Sequence, residues 1–377
     1  MSEPRVLVVL PGPPLPEGSA PAKTNLGLLR GLQAHRLDVT ALAARQHFQA
    51  AGTPPPDLPL TEVAVPAEPP GLRARFAAYV HPRTELARGV FYERVREAAR
   101  GADVVHLEQV ETAGCDAGIA TPSLVHLHYL VRRDRALGLP WTGDFRDVLL
   151  WQRAERAAIG RHRYIVASSP VVAAAIREIA PRSRVIVAPL SLDPAYYRAA
   201  PLDGPPVAGI IGTAGWPPTR AAIERLATRV WPTVRRLAPD ARLIVAGRGT
   251  DRIAGLAGIP GLEVAGSVDS AAQWLSELSL LLFPLERGSG MKVKVLEAFA
   301  SGLPVVTTAA GSEGIDASEG AVVDEEDEGL ARAAAQILLD PGERRERGAA
   351  ARRAFDQRYA PEPATRPLVE LYEEMAG

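Results

Sequence analysis

The sequence predicts an α/β fold made of two doubly wound domains, and three observations support this prediction. Short apolar runs without polar alternation recur along the chain, and segments with helical periodicity separate them. Such runs are typical of strands buried on both faces of a parallel sheet. A proline-rich stretch without periodicity, 189–206, separates two halves that show the same pattern. The length of 377 residues suits two domains of ordinary size.

Seven apolar runs in the first half predict strands. They span residues 5–10, 37–42, 62–65, 103–107, 123–127, 164–167 and 184–188. The amphipathic segments between them predict helices at 25–34, 85–99, 145–158 and 171–179. Parallel neighbours require crossover connections, which we expect to be right-handed. The proline-rich residues 51–70 predict an extended surface connection.

The second half repeats this alternation. Its apolar runs predict strands at 207–211, 242–246, 262–265, 280–284, 304–307 and 321–323. Helical periodicity predicts helices at 220–237, 271–276, 292–300, 328–339 and 343–358. Pro361 and Pro363 precede a last amphipathic segment, 364–375. The pattern therefore predicts a second doubly wound domain after the proline-rich stretch.

The charge balance argues against one class of partner. Lys and Arg number 43 and Asp and Glu 44, so the formal net charge is −1. A dedicated nucleic-acid binder presents a basic surface, so we expect no nucleic-acid partner. Residues 1–200 carry 24 basic and 19 acidic side chains, whereas residues 201–377 carry 19 and 25. This mild asymmetry predicts at most a peripheral contact of the first half with a membrane or an anionic substrate.

Cysteine usage and hydropathy predict a cytoplasmic protein. Cys115 is the single cysteine, which excludes an internal disulfide and a cysteine-based metal site. The longest apolar stretches, such as 278–285, are far shorter than the ~20 residues that a bilayer-spanning helix needs. Glu3 and Arg5 flank the apolar run 6–10 and a proline follows it at once, which favours a buried strand over a signal peptide.

Ligands of open α/β sheets bind beyond the carboxyl ends of the strands, and two such domains predict a cleft between them. The loop after the first strand, 11–20, does not have the G-x-G-x-x-G pattern of a dinucleotide site. Gly18, Ser19 and the following Lys23 nevertheless offer backbone N–H groups and a cation to a substrate. The alternative is a plain surface loop that ends at a helix capped by Thr24.

Histidines single out the loop after the fifth strand. All seven lie in the first half, at positions 35, 47, 81, 106, 126, 128 and 162. His106 and His126 fall within or at the end of predicted strands, which is typical of core residues with satisfied hydrogen bonds. His128 falls just past the strand end, where a neutral imidazole suits a hydrogen bond to a sugar hydroxyl. Alternating histidines also suit a metal, but no third or fourth ligand is placed nearby, so we predict no metal site.

A glycine-rich turn followed by a helix gives the strongest signal. Two of the three lysines of the chain, Lys292 and Lys294, lie in the first turns of the predicted helix 292–300. Cations are disfavoured there by the helix dipole, so their presence indicates a bound anion such as a diphosphate. Glu297 lies one turn after Lys294 and suits both hydroxyls of a ribose. The alternative is a solvated helix with a Lys–Glu pair.

Residues 288–314, which end in the sequence Ala-Ala-Gly-Ser-Glu-Gly, resemble the donor-binding signature of glycosyltransferase family 4. Members of this family are retaining, nucleotide-sugar-dependent enzymes with the GT-B fold. Residues 209–222 and 243–249 are similar to two further donor-site loops, and the end of the chain is similar to the helix that returns to the N-terminal domain. The resemblance therefore implies an acceptor domain of residues 1–195 with 361–377, and a donor domain of residues 196–360.

The resemblance also assigns donor-binding residues, and the sequence departs from it at three positions. Serine stands at position 289 in place of the first of two family glutamates, and Thr213 and Pro218 stand where many members carry an arginine and a lysine. The diphosphate cations are then Lys292 and Lys294, helped by Arg220. The full set of expected donor contacts is Glu297, Ser289, Gly290, Met291, Gly212, Arg220 and Arg248.

The resemblance and the residues together predict a retaining glycosyltransferase of the hexosyltransferase type. It transfers a sugar from a nucleotide diphosphate sugar to a hydroxyl or amine of a small-molecule, lipid or polysaccharide acceptor. No metal or cofactor takes part, because Lys292 and Lys294 stabilise the leaving diphosphate. His128 contacts the donor sugar, and the loop with Gly18, Ser19 and Lys23 contacts the acceptor.

Two alternatives remain from the sequence. A sugar-nucleotide epimerase can share the two-domain fold. Such enzymes need acid/base carboxylates and histidines, and the second half contains no histidine. A non-catalytic nucleotide-sugar-binding subunit is the other alternative, which the serine at position 289 favours.

Overall fold

The computed structural model describes residues 3–46, 49, 52–66, 85–140, 143–318 and 320–377. The chain divides into two compact units: the first contains the described residues as far as Ser191 together with Pro361–Gly377, and the second is Leu192–Ala360. The boundary lies four residues before the predicted one. Each unit contains one parallel sheet with helices, so the predicted α/β class with two Rossmann-like domains is confirmed. His47 and His81 lie outside the described residues.

The first unit is built on a seven-stranded parallel sheet with the order β3-β2-β1-β4-β5-β6-β7. Its strands are β1 (Arg5–Leu10), β2 (Asp38–Gln46), β3 (Leu60–Val65), β4 (Val104–Glu108), β5 (Ser123–Leu127), β6 (Tyr164–Ala167) and β7 (Arg184–Val187). The chain reverses its direction of winding at β1 and β4. Because ligands of doubly wound sheets bind at such a reversal, the carboxyl ends of β1 and β4 mark the expected site of this unit.

Helices cover both faces of this sheet. They span Ala20–Ala34, Gly89–Ala99, Gln109–Thr112, Val131–Asp134, Gly143–Arg161, Pro170–Ile179 and Pro361–Ala376, with a 3₁₀ turn at Glu85–Ala87. The last helix packs against one face, where Leu368, Leu371 and Tyr372 join Leu26 and Leu29 in a buried cluster. This apolar contact explains why the end of the chain folds with the first unit.

The first helix begins five residues earlier than the sequence predicts. Ser19 is the N-cap residue, and its Oγ accepts a hydrogen bond from the amide of Ala22 at 3.4 Å. Pro21 suits the first turn because its missing N–H would have no helical partner there. The alternative of a cap at Thr24 is wrong, since its hydroxyl donates back to the carbonyl of Ala20. Lys23 therefore lies in the helix, 5% exposed, and not in the preceding loop.

The second unit contains a six-stranded parallel sheet with the order β10-β9-β8-β11-β12-β13. Its strands are β8 (Val207–Ile211), β9 (Arg242–Ala246), β10 (Leu262–Gly266), β11 (Leu280–Phe283), β12 (Val305–Thr307) and β13 (Ala321–Val323). Its helices are Pro217–Arg225, Trp231–Leu237, Ala271–Leu275, Val293–Ala300, Asp327–Leu339 and Pro341–Ala354. The winding reverses at β8 and β11, so their carboxyl ends mark the expected site.

The predicted helix 220–237 is interrupted. It consists of Pro217–Arg225, a π-helical turn at Leu226–Val230, and Trp231–Leu237. Pro232 has no N–H to donate to the carbonyl four residues earlier, which accounts for the irregular turn before it. A second π-helical turn, Phe355–Tyr359, ends the predicted helix 343–358. In the described part of the chain, no helix combines the length and hydropathy needed to cross a membrane.

A buried carboxyl in the first unit gives the protein a predicted pH dependence. Glu155 is fully buried, and its Oε2 accepts a hydrogen bond from the amide of Val131. Among the described residues its Oε1 has no hydrogen-bond partner, although Arg132 Nε lies 3.8 Å away. Burial raises the pKa of Glu155 to about 7. The folded protein therefore keeps Glu155 protonated to a higher pH than the unfolded chain does. The contribution of Glu155 to the free energy of unfolding is complete below the unfolded pKa of 4.5, and it is lost as the pH rises through the folded pKa of about 7.

Glu155→Gln should therefore stabilise the protein relative to the wild type as the pH rises from 5 to 8. At 1.36 kcal/mol per pKa unit, the gain in the free energy of unfolding is about 2–3 kcal/mol. Urea unfolding at both pH values measures this difference, with the exposed Glu93→Gln as the matched control. If the free energy of unfolding depended on pH in the same way for Glu155→Gln and the wild type, the raised pKa of Glu155 would be contradicted.

Candidate functional site

In the second unit, the loops after β8 and β9 meet without any intervening side chain. Gly247 has a φ of +122°, and a Cβ built on it would lie 2.1 Å from the carbonyl oxygen of Gly212. Only glycine permits this approach. A Cβ on Gly212 would in turn lie 2.7 Å from Cε of Lys294. The side chain of Lys294 therefore packs directly over the backbone that follows β8.

The predicted glycine-rich turn lies between β11 and the helix Val293–Ala300. Gly290 has a φ of +75°, and its amide donates to Glu313 Oε1 at 2.8 Å. Lys292 is the N-cap residue of the helix and makes no side-chain cap, and its ammonium donates to the carbonyl of Gly290. The helix thus starts without a side-chain acceptor from its cap residue and with two lysines beside it, an arrangement that suits an anion.

Glu297 lies on the same helix and is only 4% exposed. Its Oε1 accepts a hydrogen bond from the hydroxyl of Tyr197 at 3.2 Å. Tyr197 belongs to the proline-rich stretch that the sequence marks as a connection, so the pattern gave no signal for this contact. The predicted contact of Glu297 with a ribose stays a prediction.

The other predicted donor-binding side chains differ in burial, since two are buried and two are exposed. Ser289 and Met291 are buried in the turn, each 6% exposed. Arg248 is exposed, and its carbonyl accepts from the amide of Ala214 in the loop after β8. Arg220 is also exposed, and its Nε donates to Glu224 at 2.9 Å along the outer side of its helix. Its predicted help to the diphosphate stays a prediction.

In the first unit, β4 and β5 bring three imidazoles to one carboxylate. Glu108 Oε1 lies 2.9 Å from His106 Nε2 and 2.8 Å from His126 Nδ1, while Oε2 lies 2.6 Å from His128 Nε2. The parallel register pairs Glu108 with His126, which explains why side chains on adjacent strands meet. We call these four residues the Glu108 cluster. All four are buried.

The prediction that no further ligand-type residue lies near His126 and His128 is wrong, since Glu108 and His106 contact the pair in space. His106, Glu108 and His126 lie close enough together to hold a metal ion. Tetrahedral zinc at about 2.1 Å from each ligand would separate the ligand atoms by about 3.4 Å. The observed 2.8 and 2.9 Å are instead ordinary hydrogen-bond lengths.

Electrostatics indicate one negative carboxylate, Glu108, beside two neutral imidazoles, those of His106 and His128. Burial alone would raise the pKa of Glu108, but His126, His128 and the hydrogen bonds outweigh it and hold the pKa well below its ordinary value. Burial lowers the pKa of both His106 and His128, and the opposing effect of Glu108 is smaller. His106 and His128 are thus favoured as neutral rings that donate N–H groups to Glu108.

A small pocket lies beside this cluster at the carboxyl ends of β4 and β5. It is lined by Gln109, Val110, Glu111, Leu127, His128, Tyr129, Val131 and Trp151. Gln109 has a φ of +63°, which is strained for a residue other than glycine. Burial raises the pKa of Glu111 to about 7. Aromatic rings beside polar groups suit a hydroxylated ligand.

A protein-family model matches part of this chain, and the matched residues all lie within the second unit. Residues 205–340 match the family model of glycosyl transferases group 1. This range includes Gly212, Lys292, Lys294 and Glu297. No curated protein matches the chain in sequence.

Solved structures are similar to the chain in fold. Sucrose-phosphate synthase from Thermosynechococcus elongatus has a TM-score of 0.70 and 16% identity, over 98% of this chain and 99% of that one. HepE from Anabaena, in complex with UDP and glucose, has a TM-score of 0.64 and 15% identity over 98% and 100%. A UDP-forming α,α-trehalose-phosphate synthase from Burkholderia xenovorans has a TM-score of 0.63 and 12% identity over 99% and 100%. The two sheets therefore belong to the GT-B fold.

Proposed function

We propose that the protein is a retaining glycosyltransferase that moves a sugar from a nucleotide diphosphate sugar to an acceptor hydroxyl or amine. The observation that carries this proposal is the packing of Lys294 over Gly212, beside the start of the helix Val293–Ala300. Lysine at that place sets a positive charge beside the carboxyl end of β8 and the start of that helix. The matching family model supports the same reaction class.

Lys292 and Lys294 stabilise the charge that builds on the leaving diphosphate. A fixed cation near a departing phosphate gains strength as negative charge develops, so it lowers the barrier more than it tightens ground-state binding. Glu297 orients the ribose, with Tyr197 holding one carboxylate oxygen. Ser289, Gly290 and Met291 contact the donor sugar, in the place of the family's first glutamate.

The first unit binds the other part of the reacting complex. His128 contacts the donor sugar through its imidazole, and the loop with Gly18 and Ser19 contacts the acceptor. Since Lys23 is buried in the first helix, its expected contribution is to the position of the preceding loop. The acceptor is a small molecule, a lipid or a polysaccharide.

Nucleoside diphosphates should stabilise the protein against heat. A ligand that binds only the folded state at 100 times its dissociation constant adds about 2.7 kcal/mol. Thermal unfolding with UDP, GDP, ADP and dTDP, each compared with its nucleoside, measures the contribution of the diphosphate. HepE, a structural neighbour, was solved with UDP, which makes UDP the first choice. No stabilisation by any diphosphate would contradict the proposal.

Sugar transfer should continue in excess EDTA. We propose that lysines and not a metal hold the diphosphate, so chelation removes nothing that the reaction needs. Nucleoside diphosphate release with and without EDTA measures this, and added Mg²⁺ or Mn²⁺ is the control. Activity lost in EDTA and restored by either ion would overturn the metal-independent mechanism.

The Glu108 cluster favours one second candidate, a sugar-nucleotide epimerase. Epimerisation by proton abstraction from a sugar carbon needs acid/base groups such as Glu108 and the three histidines. The two-domain fold is compatible with such an enzyme. The one carboxylate and the three imidazoles are, however, hydrogen-bonded to one another in a buried position. An epimerised nucleotide sugar in the absence of acceptor would favour this candidate over transfer.

A further inference from the structure

The hydrogen-bond chemistry of the Glu108 cluster fixes where its protons lie. An ionised carboxylate only accepts hydrogen bonds, so each ring nitrogen that contacts Glu108 carries the proton. These nitrogens are His106 Nε2, His126 Nδ1 and His128 Nε2. In a neutral imidazole the other nitrogen is then a bare acceptor.

The contacts on the outer side of the rings agree with this assignment. His106 Nδ1 faces the hydroxyl of Tyr372 at 2.5 Å, and His128 Nδ1 faces the side-chain amide of Gln109 at 3.3 Å. Both groups are able to donate a hydrogen bond. Among the described residues, His126 Nε2 has no hydrogen-bond partner. One set of protons therefore satisfies all three contacts with Glu108 and both outer contacts.

We propose that Glu108 is a positioning residue that holds His128 in its neutral Nε2–H form, so that Nδ1 is presented as a hydrogen-bond acceptor to the pocket beside it. Gln109, which contacts Nδ1, lines that pocket together with His128. The group received there is consequently a hydrogen-bond donor, a hydroxyl, and not a phosphate or a carboxylate.

Charge points to the same ligand group. An anion would meet a bare nitrogen with the negative charge of Glu108 directly behind it, whereas a hydroxyl would replace the long 3.3 Å contact of Gln109 with a hydrogen bond of its own. That this hydroxyl belongs to a sugar rests on the proposed function; the form of His128 does not.

The form of His128 is measured directly by ¹H–¹⁵N correlation NMR of the histidine rings in the whole protein. The spectrum of His128→Gln identifies the signals of this residue. We expect a protonated Nε2 and an unprotonated Nδ1 at pH 7.5, and a change at Nδ1 when glycerol is added that exceeds the change with glycerate. An Nδ1–H form, a doubly protonated ring, an equal or larger response to glycerate, no response to either probe, or stoichiometric zinc in the purified protein would overturn the proposal.

Glu108→Gln tests the positioning role. A glutamine amide donates at one end, so at least one of the three rings has to lose its present contact, and we expect a loss of turnover of about tenfold with KM for the donor nearly unchanged. Asp116→Asn is the matched control, because Asp116 also lies beside a buried histidine of the same unit, with its Oδ2 3.0 Å from His162 Nε2. Turnover equal to that of Asp116→Asn would overturn the role. If Glu108→Gln fails to fold, the wild-type NMR result decides, and nucleoside diphosphate binding tests the proposed function separately.

Discussion

Lys294→Ala is expected to lower turnover by about 10²–10³-fold, because its ammonium stabilises charge that appears mainly in the transition state. The side chain packs over Gly212 and lies 5.9 Å from the ring of Phe283, so its charge has a fixed position. Steady-state kinetics with saturating donor measure the effect. Folding should change little, since Lys294 is only half-buried.

Matched variants separate the role of this charge from general damage. Lys294→Arg should restore only part of the turnover, because a planar guanidinium does not replace a compact ammonium at close quarters. The double change with Lys292→Ala should be worse than either single change. Arg332→Ala, which removes an exposed cation of the same unit, should leave turnover unaffected. Near-full turnover and diphosphate affinity in Lys294→Ala would remove the phosphate role.

His128→Ala is expected to lower turnover by about 10–100-fold while nucleoside diphosphate affinity stays nearly intact. The magnitude is that of losing a buried hydrogen bond in the reacting complex. The nucleotide affinity is unaffected because the proposed diphosphate contacts all belong to the second unit. Kinetics and calorimetric titration of the same preparation measure the two quantities.

His35→Ala is the control for this variant, because His35 caps the first helix of the same unit and contacts the carbonyl of Glu362. Its turnover should equal that of the wild type. Equal losses of turnover and nucleotide affinity in His128→Ala would instead indicate a structural histidine.

The strands could be predicted closely from the sequence because their apolar runs are uninterrupted. The structure has β1, β5 and β8 at the predicted residues. Both faces of these strands are buried, so hydrophobicity alone marks their ends. The starts of helices were less predictable from the sequence, and Ala20–Ala34 is an example. One serine cap and one proline set the first residue of this helix, and neither of them changes the spacing of its apolar residues.

The two candidate sites differ in how much the sequence revealed. Lys292, Lys294 and the glycine turn are neighbours in the chain, so their pattern was visible. The partners of His128 were not, because Glu108 lies on another strand and its approach depends on the register of β4 and β5. Tyr372, which closes the cluster, is 266 residues away from His106. No local pattern encodes such contacts.

The most direct test of the central claim is time-resolved ¹H NMR of nucleotide sugars incubated with the protein and no acceptor. Transfer to water should slowly release a nucleoside diphosphate, and the free sugar should first appear with the anomeric configuration of the donor. Lys294→Ala should abolish this release within the limits of detection. A first product of inverted configuration, an epimerised nucleotide sugar, or binding of nucleotide sugars without any release would contradict a retaining glycosyltransferase.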